Sequence, residues 1–110
     1  GFFFGGLDVY INIVGGLKLD DTAADLSVAM ALYSSLTDKV VDEKTIAFGE
    51  IGLGGELRTI TQAEQRIAEA QRMGFKKIIM PSYAVRKINT KKYDIEIVGV
   101  RSIREAFGQI

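Results

Sequence analysis

The segment from position 61 to position 81 is the part of the sequence that most restricts the fold. It reads TQAEQRIAEAQRMG and then FKKIIMP. The first part has the apolar spacing of an amphipathic helix and is closed by Gly74, a residue typical of helix C-termini. The second part is a short apolar run ended by Pro81, which predicts a buried strand. A helix followed at once by a buried strand favours a fold in which helices pack on a sheet.

The flanking elements extend this unit into one mixed α/β domain. The runs TIAFGEIGL and ELRTI predict two strands joined as a hairpin by a Gly-Gly pair, and FFF and DVYINIV predict another. The segment 82–94 is expected to be a loop, IEIVGV a strand and SIREAF a last helix. Residues 22–36 predict a mostly buried helix, whose apolar face consists of Leu26, Ala29, Met30, Tyr33 and Leu36.

The residue types that are missing exclude several kinds of chemistry. The chain has neither cysteine nor histidine, so disulfides, thiol nucleophiles, imidazole bases and the usual zinc sites are absent. The glycine-rich GEIGLGGEL fits neither of the common phosphate-binding patterns, and a hairpin turn explains its glycines. No apolar run approaches the roughly 18 to 20 residues that cross a bilayer. We therefore expect a cytoplasmic protein without a membrane partner.

The charge is balanced overall and unevenly distributed. Residues 1–71 carry eleven acidic and five basic side chains, whereas residues 72–110 carry three acidic and nine basic ones. Seven of the bases lie between Arg72 and Lys92, where no acid occurs. Such a run is compatible with an anionic partner such as nucleic acid. The alternative, an ordinary solvated surface, stays open because few aromatic residues interrupt the run.

Two carboxylates stand near predicted helix starts. Thr22-x-x-Asp25 and Thr61-x-x-Glu64 both have the spacing of a capping box, in which the acid bonds back to the first residue of the motif. The other interpretations are a catalytic carboxylate pair or a metal site with oxygen ligands. The spacing of the two acids in the sequence favours neither, so the capping interpretation is the simpler one.

Three blocks of sequence resemble a known family. GEIGLGGELR, EQRIAEA and GFKKIIMP follow one another in order, preceded by DVYINIVGGLKLDDTAADLSVAMALYSSL and followed by IEIVGVRSIREAF. Together they resemble the C-terminal domain of the RadA (Sms) family of bacterial DNA repair and recombination proteins, over nearly the whole chain. That domain is similar in turn to the proteolytic domain of Lon, an ATP-dependent protease with a Ser–Lys dyad. The resemblance implies a Lon-protease-like fold, of the type of ribosomal protein S5 domain 2.

The resemblance also implies that peptidase chemistry has been lost. Aligned with the Lon motifs, Asp25 stands at the position of the nucleophilic serine and Glu64 at the position of the catalytic lysine. Neither carboxylate has the chemistry of the group it replaces, and a shared fold does not carry a shared function. We therefore expect no catalytic residue and no metal site, with Asp25 and Glu64 as the degenerate dyad positions.

Basic residues near the former active-site loop are the first candidates for contacting DNA phosphates. Lys18 follows a Gly-Gly turn beside that loop, Arg58 follows the GLGGE hairpin, and Arg66 is the third candidate. The alternative is a basic face formed by Lys76, Lys77, Arg86, Lys87, Lys91 and Lys92.

The resemblance places residues 1–110 as one domain of a longer ATPase. It implies a scaffold that assembles into a ring, expected to be a hexamer, and that binds DNA during branch migration, with other recombination proteins as further partners. ATP, magnesium and zinc are expected to bind upstream parts of the parent, and this fragment itself needs no cofactor. The alternatives are a Lon-like peptidase that uses other residues and a pure protein-interaction module.

Overall fold

The computed structural model describes Ala23 and residues 25–110. Within this part the chain alternates helices and strands, which confirms the predicted mixed α/β class. The predicted hairpin between FFF and DVYINIV lies outside the described residues. In chain order the elements are α1 (Asp25–Thr37), β1 (Thr45–Ala47), β2 (Glu50–Ile51), β3 (Leu57–Arg58), α2 (Ala63–Arg72), β4 (Lys77–Pro81), α3 (Ser82–Val85), a 3-10 turn (Thr90–Lys92), β5 (Glu96–Val100) and α4 (Ile103–Phe107).

Strand β4 is the centre of the main sheet. It pairs in parallel with β1 on one side and β5 on the other, so that Ile78 lies opposite both Ile46 and Ile97. Strands β2 and β3 form a separate antiparallel pair. Parallel strands joined through helices are commonly covered on both faces, which suits the nearly continuous apolar sequence of β4.

The sheet separates two apolar clusters. Successive residues of a strand point to opposite faces, so Ile78 and Met80 enter one cluster and Ile79 the other. Ile67 of α2 joins the first cluster, and Leu26 of α1 joins the second. The three layers place α2 on one face of the sheet and α1 with α4 on the other.

The helix and the strand predicted within residues 61–81 are confirmed. Helix α2 covers Ala63–Arg72 and β4 covers Lys77–Pro81. Between them Gly74 adopts a φ of +94°, and its amide donates to the carbonyl of Gln71. A left-handed residue at this place ends the helix and turns the chain into the strand, which glycine does without a side-chain penalty.

Three predictions about neighbouring elements need correction. Leu36 was expected on the buried face of α1, but it is 85% exposed, whereas the small Ser27 and Ala31 are buried. The run TIAFGEIGL is not one strand, because β1 joins the parallel sheet and only Glu50–Ile51 enters the hairpin with Leu57–Arg58. The expected loop 82–94 contains the one-turn helix α3 and the 3-10 turn.

Among the described residues, no helix combines the length and the apolar character needed to cross a membrane.

Helix α3 lies so close to β5 that glycine is required at one position. A Cβ atom added at Gly99 would lie 3.0 Å from Cα of Ser82 and 3.4 Å from Cβ of Val85. We expect Gly99→Ala to lower the free energy of unfolding by about 1–3 kcal/mol, because a backbone atom has to move. Urea unfolding followed by circular dichroism measures this change.

Gly49→Ala is the matched control for this substitution. An added Cβ there would meet side-chain atoms of Leu26 and Leu57 no closer than 3.4 Å, an ordinary contact distance. We expect this variant to change the free energy of unfolding by less than about 1 kcal/mol. Equal losses in the two variants would contradict the steric explanation.

Candidate functional site

Asp25 is the first residue of α1 and is tied to the hairpin. Its Oδ2 accepts a hydrogen bond of 3.3 Å from the amide of Ile51. The same region is held by backbone bonds, since the amide of Leu26 donates to Gly49 and the amide of Gly49 donates to Ala23. Thr22 lies outside the described residues, so its predicted capping bond with Asp25 stays a prediction. The carboxylate links a helix start to the base of a hairpin.

Glu64 does not form the predicted capping box with Thr61. The residue before α2 is Gln62, which has a left-handed backbone (φ 57°, ψ 40°) and no side-chain capping bond. The carboxylate of Glu64 instead accepts a hydrogen bond of 2.9 Å from the hydroxyl of Tyr93 and lies 3.5 Å from Nζ of Lys92. Glu64 therefore ties α2 to the segment that leads into β5.

A side-chain cap occurs at α4, although the acid of this Ser-x-x-Glu motif bonds to the residue before Ser102 and not to Ser102 itself. Ser102 Oγ accepts from the amide of Glu105 at 3.2 Å, and Glu105 Oε2 accepts from the amide of Arg101 at 3.1 Å. The spacing Ser-x-x-Glu was visible in SIREAF and its context, and it marks the start of that helix.

The environment of Tyr93 alters its ionisation. Partial burial raises the pKa of the phenol above its ordinary value of 10.0, and the hydrogen bond to Glu64 and the negative charge of Glu64 raise it further. Because neutral pH lies below both the ordinary and the raised pKa of Tyr93, the protonated phenol contributes stability there. That contribution is lost only when the pH rises above about 10 and passes the raised pKa.

The two degenerate dyad positions have separate partners. In the described part of the chain, Asp25 bonds to Ile51 of β2, whereas Glu64 bonds to Tyr93 and Lys92 near β5. The nearby hydroxyl of Ser27 is fully buried and donates to the carbonyl of Ala47. No group of three acidic side chains that could hold a metal ion occurs among residues 23 and 25–110.

The three first candidates for DNA contact differ in their surroundings. Lys18 lies outside the described residues, and its role stays a prediction. Arg58 is exposed on β3, opposite Glu50, and their charged atoms are 4.0 Å apart. Arg66 donates through Nε to the carbonyl of Thr61 at 3.0 Å and stacks over the Phe48 ring at 5.3 Å. Arg66 thus has structural contacts, while Arg58 projects into solvent with one weak acidic neighbour.

The alternative basic face divides along the sheet. Lys76 and Lys77 lie at the start of β4, whereas Arg86 and Lys87 follow its end. The strand between these places spans about 13 Å from Lys77 to Pro81, which is four steps of about 3.3 Å. The acid-free run is partly neutralised by acids from elsewhere, because Arg72 pairs with Glu69 and Lys92 pairs with Glu64.

Five bases of the run keep their charge uncompensated. Within the described chain, no ion pair involves Lys76, Lys77, Arg86, Lys87 or Lys91. Next to two of them lies Tyr83, an aromatic residue that was not among the sites predicted from the sequence. Tyr83 is 53% exposed, with Arg86 and Lys87 over its ring. Their offsets of three and four residues are those of neighbours on one helical face, which is the signal that was available in SYAVRK.

The chain is similar to one protein-family model and to a group of individual relatives that share one name. A family model described as subunit ChlI of Mg-chelatase matches residues 1–84. Relatives called DNA repair protein RadA include one from Streptococcus pneumoniae, 41% identical over 103 residues, which is 94% of this chain and 24% of the relative. One from Escherichia coli is 38% identical over 99 residues, covering 90% of this chain and 21% of the relative.

A third RadA relative, from a Synechocystis species, is 49% identical over 75 residues, covering 68% of this chain and 15% of that protein. The similarity to RadA that the sequence blocks predicted is therefore confirmed. The chain spans less than a quarter of the length of these relatives.

The contact between Glu64 and Tyr93 predicts a pKa change. In Glu64→Gln the negative charge beside the phenol is lost, so the pKa of Tyr93 should fall towards 10.0. Tyrosinate absorbance across an alkaline titration measures it, and a Tyr93→Phe variant identifies the Tyr93 transition. Glu69→Gln removes a charge from the same helix, where Glu69 pairs with Arg72. This control should leave the transition in place, and an equal shift in both variants would contradict a direct contact.

Proposed function

The chain belongs to the family whose model is described as subunit ChlI of Mg-chelatase, and from its RadA relatives we propose a role in DNA repair. In this proposal the chain is the Lon-like C-terminal part of a RadA-like ATPase, where it binds DNA and joins neighbouring copies. The observation that carries it is the 41% identity to a DNA repair protein over 94% of the chain. The chelatase name is that of the family model. We base the proposal on the individual RadA relatives instead, because they match at least 90% of the chain.

The activity of the whole protein belongs to the proposal as well. The relatives are more than four times longer than the matched part. We assign DNA-dependent ATP hydrolysis, with its magnesium and zinc, to the remaining parts of such a protein. Branch migration during recombination, with other recombination proteins as partners, is the process we propose for the complete assembly.

Binding to DNA phosphates is supported by an exposed cation that the fold compensates only weakly. Arg58 projects from the β2–β3 hairpin at 56% side-chain exposure, with Glu50 only at the limit of ion-pair distance. An exposed pair of this kind contributes little, so the guanidinium is available to a phosphate at small cost. Lys18 is the proposed second contact. Arg66 is a weaker candidate, because its Nε and its guanidinium face already contact Thr61 and Phe48.

The proposal includes the absence of peptidase activity. Asp25 and Glu64 accept hydrogen bonds from Ile51 and Tyr93, and these contacts give both carboxylates a structural role. The alternative, a Lon-like peptidase, would be favoured by turnover of an unfolded protein that depends on Asp25 or Glu64. A pure protein-interaction module would be favoured by a lack of DNA affinity at low salt.

Self-association is the scaffold part of the proposal. Helix α1 leaves Leu32 and Leu36 exposed by 51% and 85%, one helical turn apart. A different face of α1 packs in the cluster on that side of the sheet through Leu26 and Met30. Two large apolar side chains in line on a packed helix suit a contact with a second copy of the chain, as a ring requires.

The DNA contacts predict a salt-dependent loss in a double variant. In Lys18→Ala/Arg58→Ala, affinity for a labelled duplex should fall at low salt, and the slope of log affinity against log salt should shrink by about 1.8. Fluorescence anisotropy across a salt series measures both. Arg72→Ala/Lys92→Ala removes the same formal charge from cations already paired with acids, so its loss should be smaller. Unchanged binding in the first variant would rule out these contacts.

The scaffold contact predicts an effect on assembly. Leu36→Lys should weaken any self-association of the chain, because a charge enters a surface that becomes buried. Sedimentation velocity at several concentrations measures this. Leu53→Lys is the matched control, since Leu53 is fully exposed at the hairpin turn. Equal behaviour of the two variants would place the contact elsewhere.

A further inference from the structure

Tyr83 is an aromatic side chain placed in solvent at the end of the central strand. It belongs to α3, which begins directly after Pro81 of β4. More than half of its surface is exposed, although its neighbour Ala84 is almost completely buried. An exposed tyrosine ring offers an apolar face to a binding partner.

The backbone that carries Tyr83 is held firmly. Pro81 is fully buried, and Ser82 lies so close to Gly99 that a Cβ atom added there would be 3.0 Å from Cα of Ser82. Behind the ring, Val85 and Ile88 pack on the apolar cluster of α2 and the sheet. Tyr83 therefore projects from a segment whose backbone position is set by the core.

Two cations lie over the Tyr83 ring. Nζ of Lys87 is 4.3 Å from the ring centroid, and Cζ of Arg86 is 6.0 Å from it. Neither is within ion-pair distance of an acid in the described chain. The cation–π contact holds the positive charges beside the ring without neutralising them.

A similar pair elsewhere in the fold lacks this property. Nζ of Lys92 is 5.8 Å from the Tyr93 ring, but Glu64 binds both residues. The charge of Lys92 is compensated and the hydroxyl of Tyr93 is bonded. Within the described residues, the Tyr83 group thus differs from the Tyr93 pair by having no acid at ion-pair distance, and it unites a half-exposed ring with two cations.

We propose that Tyr83, Arg86 and Lys87 form a binding site for single-stranded nucleic acid. An unpaired base stacks on the Tyr83 ring, and Arg86 and Lys87 bind the flanking phosphates. Aromatic rings beside cations are the usual means of holding single strands without sequence preference. In a duplex the bases stack on each other, so a duplex would use the two cations alone. The site rests on the proposed DNA-binding function and adds to it the form of the ligand and a surface distinct from Lys18 and Arg58.

The ring is tested with one pair of variants. The 110-residue chain and its variants are titrated into a fluorescein-labelled oligothymidylate at low salt, followed by anisotropy. Tyr83→Ala should bind about tenfold more weakly, because stacking is lost. Tyr83→Phe keeps the ring and should bind as the parent chain does. Equal affinity of Tyr83→Ala and the parent chain would overturn the site, and so would an equal loss in Tyr83→Phe.

A duplex of the same length distinguishes stacking from a general loss of affinity. Tyr83→Ala should bind the duplex as the parent chain does, since no unpaired base reaches the ring. An equal loss for single strand and duplex would overturn the assignment. The thermal unfolding of each variant is measured beside the titration, and an exposed position should leave it unchanged.

The cations are tested with a charge-matched pair. Arg86→Gln/Lys87→Gln should shrink the salt slope for the single strand by about 1.4. Lys76→Gln/Lys77→Gln removes the same charge at the opposite end of β4 and should shrink it less. Equal slopes in the two double variants would overturn the role of Arg86 and Lys87.

The results distinguish failure of the Tyr83 site from failure of the proposed DNA-binding function. Binding of the single strand by the parent chain, with no effect of Tyr83→Ala, leaves DNA binding standing and removes the site. A parent chain that binds neither single strand nor duplex removes both.

Discussion

The burial of β4 on both faces is the constraint on which the rest of the described structure depends. Ile78, Ile79 and Met80 are fully buried, and the strand forms backbone bonds with a parallel neighbour on each side. A central strand of this kind needs a helix layer on each face. Helices α1, α2 and α4 supply those layers, and the positions of Asp25 and Glu64 follow from where α1 and α2 begin.

Sequence periodicity correctly predicted the helices whose apolar residues are confined to one face. Helix α2 alternates apolar and charged residues and ends in a left-handed glycine, so its bounds were predicted closely. Helix α1 is apolar around most of its circumference, and periodicity then does not tell which face is buried. The buried Ser27 and the exposed Leu36 are the result, because close packing against β1 favours small side chains. The hairpin was predicted wrongly for a related reason. The apolar run around Gly49 predicts extended backbone, but it does not show that the residues before Gly49 pair with β4 while those after it pair with β3.

In the candidate site, too, contacts between residues close in sequence could be predicted, whereas contacts between residues far apart in sequence could not. A helix cap is a local pattern, and yet the Ser102 cap forms at α4, whereas Glu64 bonds to a tyrosine 29 positions away. No spacing rule contains such a partner. The neutralisation of Lys92 was invisible for the same reason, because its acid comes from α2. Only the offsets of Arg86 and Lys87 from Tyr83 were readable directly, since they lie within one helical turn.

The hairpin that carries Arg58 is completed by the residues that follow β5. The amide of Leu57 donates to Arg101, and the amide of Ile103 donates to Gly55, so each bond joins residues more than forty positions apart. During synthesis on the ribosome, the hairpin emerges well before these partners exist. Contacts so distant in sequence carry a larger entropy cost of loop closure than local ones and are slower to form. An incomplete or truncated chain would lack these bonds, which makes the correct presentation of Arg58 a property of the finished domain alone.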